Sequence, residues 1–213
     1  MNRPCNVTAA RRLRAGLAAA ACLLAACGTE PATRFHSLLP TPGARAAVAR
    51  PVAVAPLWDL LPVKVPAQLE TPQWVVRLAD DTLALLEYDR WIAPLAEEMR
   101  AAVALRLAAA FGPSPGAGAT VKPWRIAIEV ERFDAALGRS VHLEAEWTIR
   151  DGDAKEAALR CRAVFNQPVA AGMSALATGQ RAAVEQLGDA VAVSLKGQLG
   201  TPRAQSCGPP QRS

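Results

Sequence analysis

The chain has 213 residues, 51% of them apolar and 20% charged, which suits a single domain with a real core. Its formal charge of +5 would ordinarily point to nucleic acid or an acidic surface. Four of the basic residues, Arg3, Arg11, Arg12 and Arg14, crowd into the extreme N-terminus, and without them 20 basic side chains face 19 acidic ones, so nucleic acid is excluded as a partner.

That N-terminal stretch contains no acid and runs into a short apolar segment, Leu17 to Ala26, that ends in Leu24-Ala25-Ala26-Cys27. This tetrapeptide resembles the lipobox of bacterial lipoproteins. There the cysteine thiol receives a diacylglycerol and the chain is cut just before it, which requires a thiol at the new N-terminus and small residues at the two preceding positions. The uninterrupted apolar run from Ala15 to Cys27 is 13 residues, short of the roughly 18 needed to span a bilayer. Residues 1–26 therefore read as a lipoprotein signal peptide, Cys27 as the lipidation site and 27–34 as a tether without apolar periodicity. Of five cysteines, Cys5 and Cys22 leave with the signal and Cys27 is consumed by lipid. Cys161 and Cys207 remain in a compartment that permits disulfides; they could bridge, or Cys161 could stay buried and free.

Phe35 to Leu39 reads as a first short strand closed by Pro40 and Pro42, and Pro51 to Leu57 as an edge-tolerant second. Leu61 to Pro72, punctuated by Pro62, Pro66 and Pro72, reads as an irregular loop. Trp74 to Leu78 and Thr82 to Tyr88 form a hairpin around the acidic turn Asp80-Asp81. Pro94 opens a helix whose first turn carries Glu97 and Glu98, whose apolar face is Leu95, Met99, Ala102, Val103, Leu107, Ala110 and Phe111, and which Gly112 and Pro113 end. Three alternating strands follow, with Trp124, Ile126, Ile128 and Val130, then Val141 to Ile149, then Leu159 to Phe165 turned inward. Turns centred in their loops set Trp147 opposite Leu159, Ala145 opposite Cys161 and Trp124 beside Trp147. On the outer face this register pairs Glu146 with Arg160, Glu144 with Arg162 and Arg125 with Glu146, so that opposite charges meet throughout. A last helix runs from about Ser174 to Leu199 on the buried face Val184, Leu187, Val191 and Leu195, and 200–213 is a polar tail. The sum is an α+β domain over 35–199, a mostly antiparallel sheet with a three-strand meander and two long helices on one face.

Chemistry is harder to find. The two histidines, His36 and His142, have no serine or cysteine partner in a recognisable motif, so no nucleophilic triad is supported. A zinc site from His142, Cys161 and Cys207 would need ligands from opposite strand faces. Asp80-Asp81 and Glu97-Glu98 read as solvated, and the glycines at 112, 116 and 118 lack the context of a phosphate loop. No catalytic residue, cofactor or metal is expected, and the chain does not read as an enzyme.

Several local patterns give it a job instead. Phe35-His36-Ser37-Leu38, Pro51-Val52-Ala53-Val54-Ala55-Pro56, Leu69-Glu70-Thr71-Pro72-Gln73-Trp74-Val75-Val76-Arg77, Glu87 to Leu95, Arg132-Phe133-Asp134 and Leu143 to Trp147 occur in the order and spacing of the PqiC-like family. The chain thus resembles the auxiliary lipoproteins of ABC-type and MCE-type lipid transport systems, over about residues 34–199. It departs at His36, where the family has an aromatic residue, and at Glu70-Thr71, where it favours Asp-Arg. The resemblance implies a periplasmic domain anchored in the outer membrane, and Gly28 after the cysteine agrees, since aspartate there is the usual inner-membrane retention signal. It also implies a structural adaptor, in a homo-oligomeric ring, for an MCE-domain tunnel protein. The expected partner-binding residues are Leu69, Pro72, Gln73, Trp74, Arg77, Asp89, Arg90 and Trp91. The alternative is a stand-alone periplasmic lipid binder with its pocket between the sheet and the two helices.

Overall fold

A computed structural model describes residues 31–40, 56–114, 122–152, 154, 159–200 and 207. Cys27, the second expected strand up to Ala55 and most of the expected tail lie outside these residues. From Thr33 onward the chain forms one compact unit. Its strands are β1 (Arg34–His36), β2 (Trp58–Leu60), β3 (Gln73–Arg77), β4 (Leu83–Trp91), β5 (Trp124–Ala136), β6 (Ser140–Arg150) and β7 (Leu159–Pro168), and its helices are α1 (Leu95–Phe111) and α2 (Met173–Gly200). The fold is α+β, an open seven-stranded sheet in the order β1-β4-β3-β5-β6-β7. β2 pairs with the start of β5 and β3 with its end, both in parallel. Between them Leu61 and Lys64 donate backbone N–H groups to Ile126 and Ile128, so the proline-rich stretch is stitched along β5. It also holds one 3₁₀ turn, Ala67–Leu69, and is less irregular than its prolines suggest.

α1 begins after Pro94, with Glu97 and Glu98 in its first turn where carboxylates favour the helix dipole. It ends at Gly112, whose φ of 86° is a conformation that side chains resist. Met99, Val103 and Leu107 from α1 and Val184, Leu187, Val191 and Leu195 from α2 are fully buried. β6 turns Val141, Leu143, Ala145, Trp147 and Ile149 toward the same core, and the Trp147 indole N–H donates to Ser194 Oγ of α2 at 3.2 Å. The space between sheet and helices, where a stand-alone lipid binder would hold its cargo, is filled by these side chains.

The meander faces are as expected, but its register is not. Trp147 stands opposite Cys161 and Ala145 opposite Ala163, a slip of two residues, while Ile128 rather than Trp124 stands beside Trp147. The β5–β6 turn is a tight one around Gly138 (φ 68°), and a bulge between Val130 and Arg132 takes up one residue more. Even slips preserve the faces. The ion pairs Arg160–Glu146 (3.1 Å) and Arg162–Glu144 (2.6 Å) therefore form all the same, as diagonal rather than directly opposed pairs. Opposite charges do not meet throughout, however: Arg125 stands opposite Arg150, and Glu129 opposite Glu146. Cys161 on β7 and Cys207 are joined by a disulfide with their Cα atoms 5.3 Å apart.

Candidate interaction site

Three segments far apart in sequence converge at the β1 edge of the sheet. β1 runs parallel to the end of β4, with Arg34, Phe35 and His36 opposite Asp89, Arg90 and Trp91. Asp89 is only 4% exposed. Its carboxylate accepts a hydrogen bond from Arg34 Nη2 at 2.7 Å and one from His36 Nε2 at 2.8 Å. Burial alone would push this carboxyl upward, but the hydrogen bonds from Arg34 and His36, and their charge, hold its pKa below the ordinary aspartate value. The His36 ring stacks on Trp74 with centroids 4.0 Å apart, and Trp74 packs on Trp91 at 5.0 Å. At this position the imidazole does the packing of an aromatic ring and adds a bond to Asp89.

A second carboxylate completes the clamp. Glu98, in the first turn of α1, accepts from Ser37 Oγ at 2.7 Å and from the Leu38 N–H at 2.8 Å, and is itself 4% exposed. The expectation that Glu97 and Glu98 are both solvated holds for Glu97 alone. Helical spacing separates them: Glu98 lies three residues after Leu95 and four before Ala102, at the edge of the apolar face, and Glu97 does not. Sequence reasoning missed Glu98 because its partners, Ser37 and Leu38, come from a segment about 60 residues away.

The residues expected at a partner surface divide by this geometry. Trp74, Asp89 and Trp91 are buried and hold β1, β3 and β4 together, so their indole and carboxylate groups are internal supports of the surface. Leu69, Pro72 and Trp91 line a groove of about 690 Å³ between the proline-rich stretch and the start of α1, with Val63, Val65 and Leu95. Ile92 on its wall is 60% exposed, as is Phe35 on β1 nearby in the sheet. Lys64 and Glu70 are its charged lining. Gln73 is half-buried and hydrogen-bonded to Thr71, while Arg90 gives its Nε–H to Glu87 O at 3.3 Å. Arg77 is elsewhere, at the far end of β3, where it pairs with Asp134 at 3.0 Å. His142 bonds Asn166 on the polar face of the sheet, while Cys161 and Cys207 are joined to each other. Among the described residues no group of three His, Cys, Asp or Glu side chains could hold a metal ion, and no helix is long and apolar enough to cross a membrane. The arrangement offers a largely apolar groove with Lys64 and Glu70 as its charged lining, beside the buried Asp89 carboxylate and its partners Arg34 and His36.

Solved structures share this architecture. A crystal structure of an uncharacterized protein superposes with a TM-score of 0.58 at 13% identity, covering 78% of this chain and 99% of its own. That of protein XCC0632 from Xanthomonas campestris, of the DUF330 family, does so with a TM-score of 0.55 at 15% identity, covering 78% and 93%. At such identities the likeness is one of fold. No curated protein matches the chain. The family is fixed by sequence: residues 37–192 match the ABC-type transport auxiliary lipoprotein component, and the chain belongs to that family. This is a transporter's accessory family and not an enzyme family. The match begins at Ser37, just where Glu98 grips the chain.

Proposed function

We propose that the chain is a periplasmic lipoprotein held in the outer membrane through Cys27, serving as a structural adaptor for an MCE-type tunnel that carries lipid between the membranes. Membership in the transport-auxiliary family supports the transporter association, and the Leu24-Ala25-Ala26-Cys27 lipobox supports the anchor. The observation that carries the adaptor reading is the apolar groove of Leu69, Pro72, Trp91 and Ile92, braced from within by Trp74 and Asp89. Leu69 and Trp91 form its buried floor and Pro72 and Ile92 its exposed rim, and a concave apolar feature of this kind marks a contact site. An adaptor in a ring of copies needs such a rigid face and no turnover. The filled space between sheet and helices weighs against the stand-alone lipid binder.

The test is co-purification of the lipidated protein from solubilised envelopes, with Ile92→Asp as the probe. Ile92 is exposed, so the variant should fold with an unchanged melting temperature. The proposal expects an MCE-domain protein to be recovered with the native chain and lost with the variant. A native chain that is monomeric and carries phospholipid, with no transport component, would favour the lipid binder.

A further inference from the structure

We propose that the polar face of the sheet carries a phosphate-binding cleft between the β3–β4 and β5–β6 turns, separate from the apolar groove. The cleft has a volume of about 210 Å³ and gathers Arg77 from the end of β3, Arg132 from β5 and Arg139 from the β5–β6 turn around a single carboxylate, Asp134. Asp134 Oδ2 accepts from Arg77 Nη2 at 3.0 Å and from Arg132 Nε at 2.7 Å, so one negative charge is shared between two guanidinium groups. Arg139 donates from Nη2 to Leu78 O at 2.7 Å, a neutral acceptor, and makes no ion pair among the described residues. Within the lining three positive charges thus meet one negative charge; Glu131 and Glu144, which share an adjoining cavity with Arg77, Arg132 and Asp134, are both paired with Arg162. Asp80 and Asp81, on the neighbouring turn, are not part of the lining, and Asp80 accepts from the Thr82 N–H and hydroxyl.

The hydrogen-bond inventory has the same bias. Arg77 Nε is buried and has no acceptor among the described residues. Buried donors without an acceptor are rare and call for a ligand or other explanation. At the other side of the cleft His142 Nδ1 and Asn166 Oδ1 are 2.7 Å apart, which commits the amide oxygen and leaves the Asn166 NH₂ as a donor. A site with surplus donors and two surplus positive charges suits a phosphate dianion better than a carboxylate, and guanidinium forks match phosphate oxygens two at a time. Leu78 and Leu137, on the two turns that frame the cleft, are exposed, so a phosphate borne on a lipid headgroup could be held with apolar side chains beside it.

The experiment follows the arginine Nε–H resonances of the intact lipidated protein in detergent micelles by NMR. Sodium phosphate is titrated against sodium chloride of equal ionic strength. The proposal expects a saturable shift of the Arg77 Nε–H signal with phosphate and none with chloride. Arg139→Gln should weaken that response by about tenfold or more, the loss expected for one hydrogen bond to a charged group, while Arg132→Gln gives an independent second reading. Both arginines are exposed, so the melting temperature serves as the folding control. Short-chain phosphatidic acid then identifies the source. Competition at lower concentration than inorganic phosphate assigns the site to a lipid headgroup, and failure to compete assigns it to the free ion. An equal response to chloride, or an unchanged affinity in both variants, overturns the proposal.

Discussion

Asp89 is the residue on which the N-terminal strand depends, because one buried carboxylate receives both Arg34 and His36. Asp89→Asn should cost about 1–3 kcal/mol in urea unfolding near pH 7, the range for a hydrogen bond to a charged group that is then left mispaired. The pH dependence has a definite sign. Since the folded pKa of Asp89 is lowered, its stabilisation is complete above the unfolded carboxylate pKa and fades as pH falls through the folded value. The native chain should therefore lose stability in acid more steeply than Asp89→Asn, and melting curves taken between neutral pH and the acid limit check this; parallel curves would contradict it. Glu98 makes a separate prediction. Glu98→Ala removes the acceptor of both Ser37 and the buried Leu38 N–H and should cost about 1–3 kcal/mol. Ser37→Ala keeps the Leu38 bond but gives up the one that Ser37 Oγ accepts from the Leu39 N–H at 3.0 Å, and should cost about 0.5–1.5 kcal/mol. Equal losses for the two variants in chemical denaturation would mean that the buried Leu38 bond contributes no more than the Leu39 one.

Helix α2 owes its close packing to two glycines inside it. A Cβ at Gly179 would sit 2.2 Å from Val169 Cγ1, and one at Gly188 would sit 2.8 Å from Arg106 Cβ on α1. In an open helix glycine-to-alanine gains roughly 0.5–1 kcal/mol. Here Gly179→Ala should instead destabilise by about 1–3 kcal/mol, the usual cost of overpacking a core. A higher melting temperature in that variant would show that the helix can shift away from β7 and β6. Both helices, the β3–β4 hairpin and the meander were legible because apolar residues recur at 3.6 or 2 positions in them. Register was not, because alternation fixes a face and leaves even slips free. The tight turn at Gly138 and the bulge after Val130 decided it. The parallel additions of β1 to β4 and of β2 to β5 were also hidden, since three-residue strands have no measurable period.

At the scale of the whole molecule, the motif residues of the sequence are brought together in part. Phe35-His36-Ser37-Leu38, Pro72 to Trp74 and Asp89 to Trp91 form one edge, while Arg77 belongs to a different cleft. Charge sequence alone could not separate them, because burial of Asp89 and exposure of Ile92 are set by which strands meet. The Cys161–Cys207 disulfide ties the C-terminal segment back to β7. Cys207→Ser should lower stability by about 2–4 kcal/mol under oxidising conditions, as for other long cross-linked loops, and the lipidated native protein should show no thiol to a denaturing thiol assay. A titratable thiol in the native protein would contradict the bridge. The central claim is that this domain docks a transport component through the groove at Leu69, Pro72 and Ile92. It is tested most directly by photocrosslinking from residue 92 of the lipidated protein in intact envelopes, with Leu105 on the exposed side of α1 as the control position. The account predicts a crosslink from residue 92 to an MCE-domain protein and none from residue 105. Crosslinks to lipid alone, or to the same proteins from both positions, would contradict it.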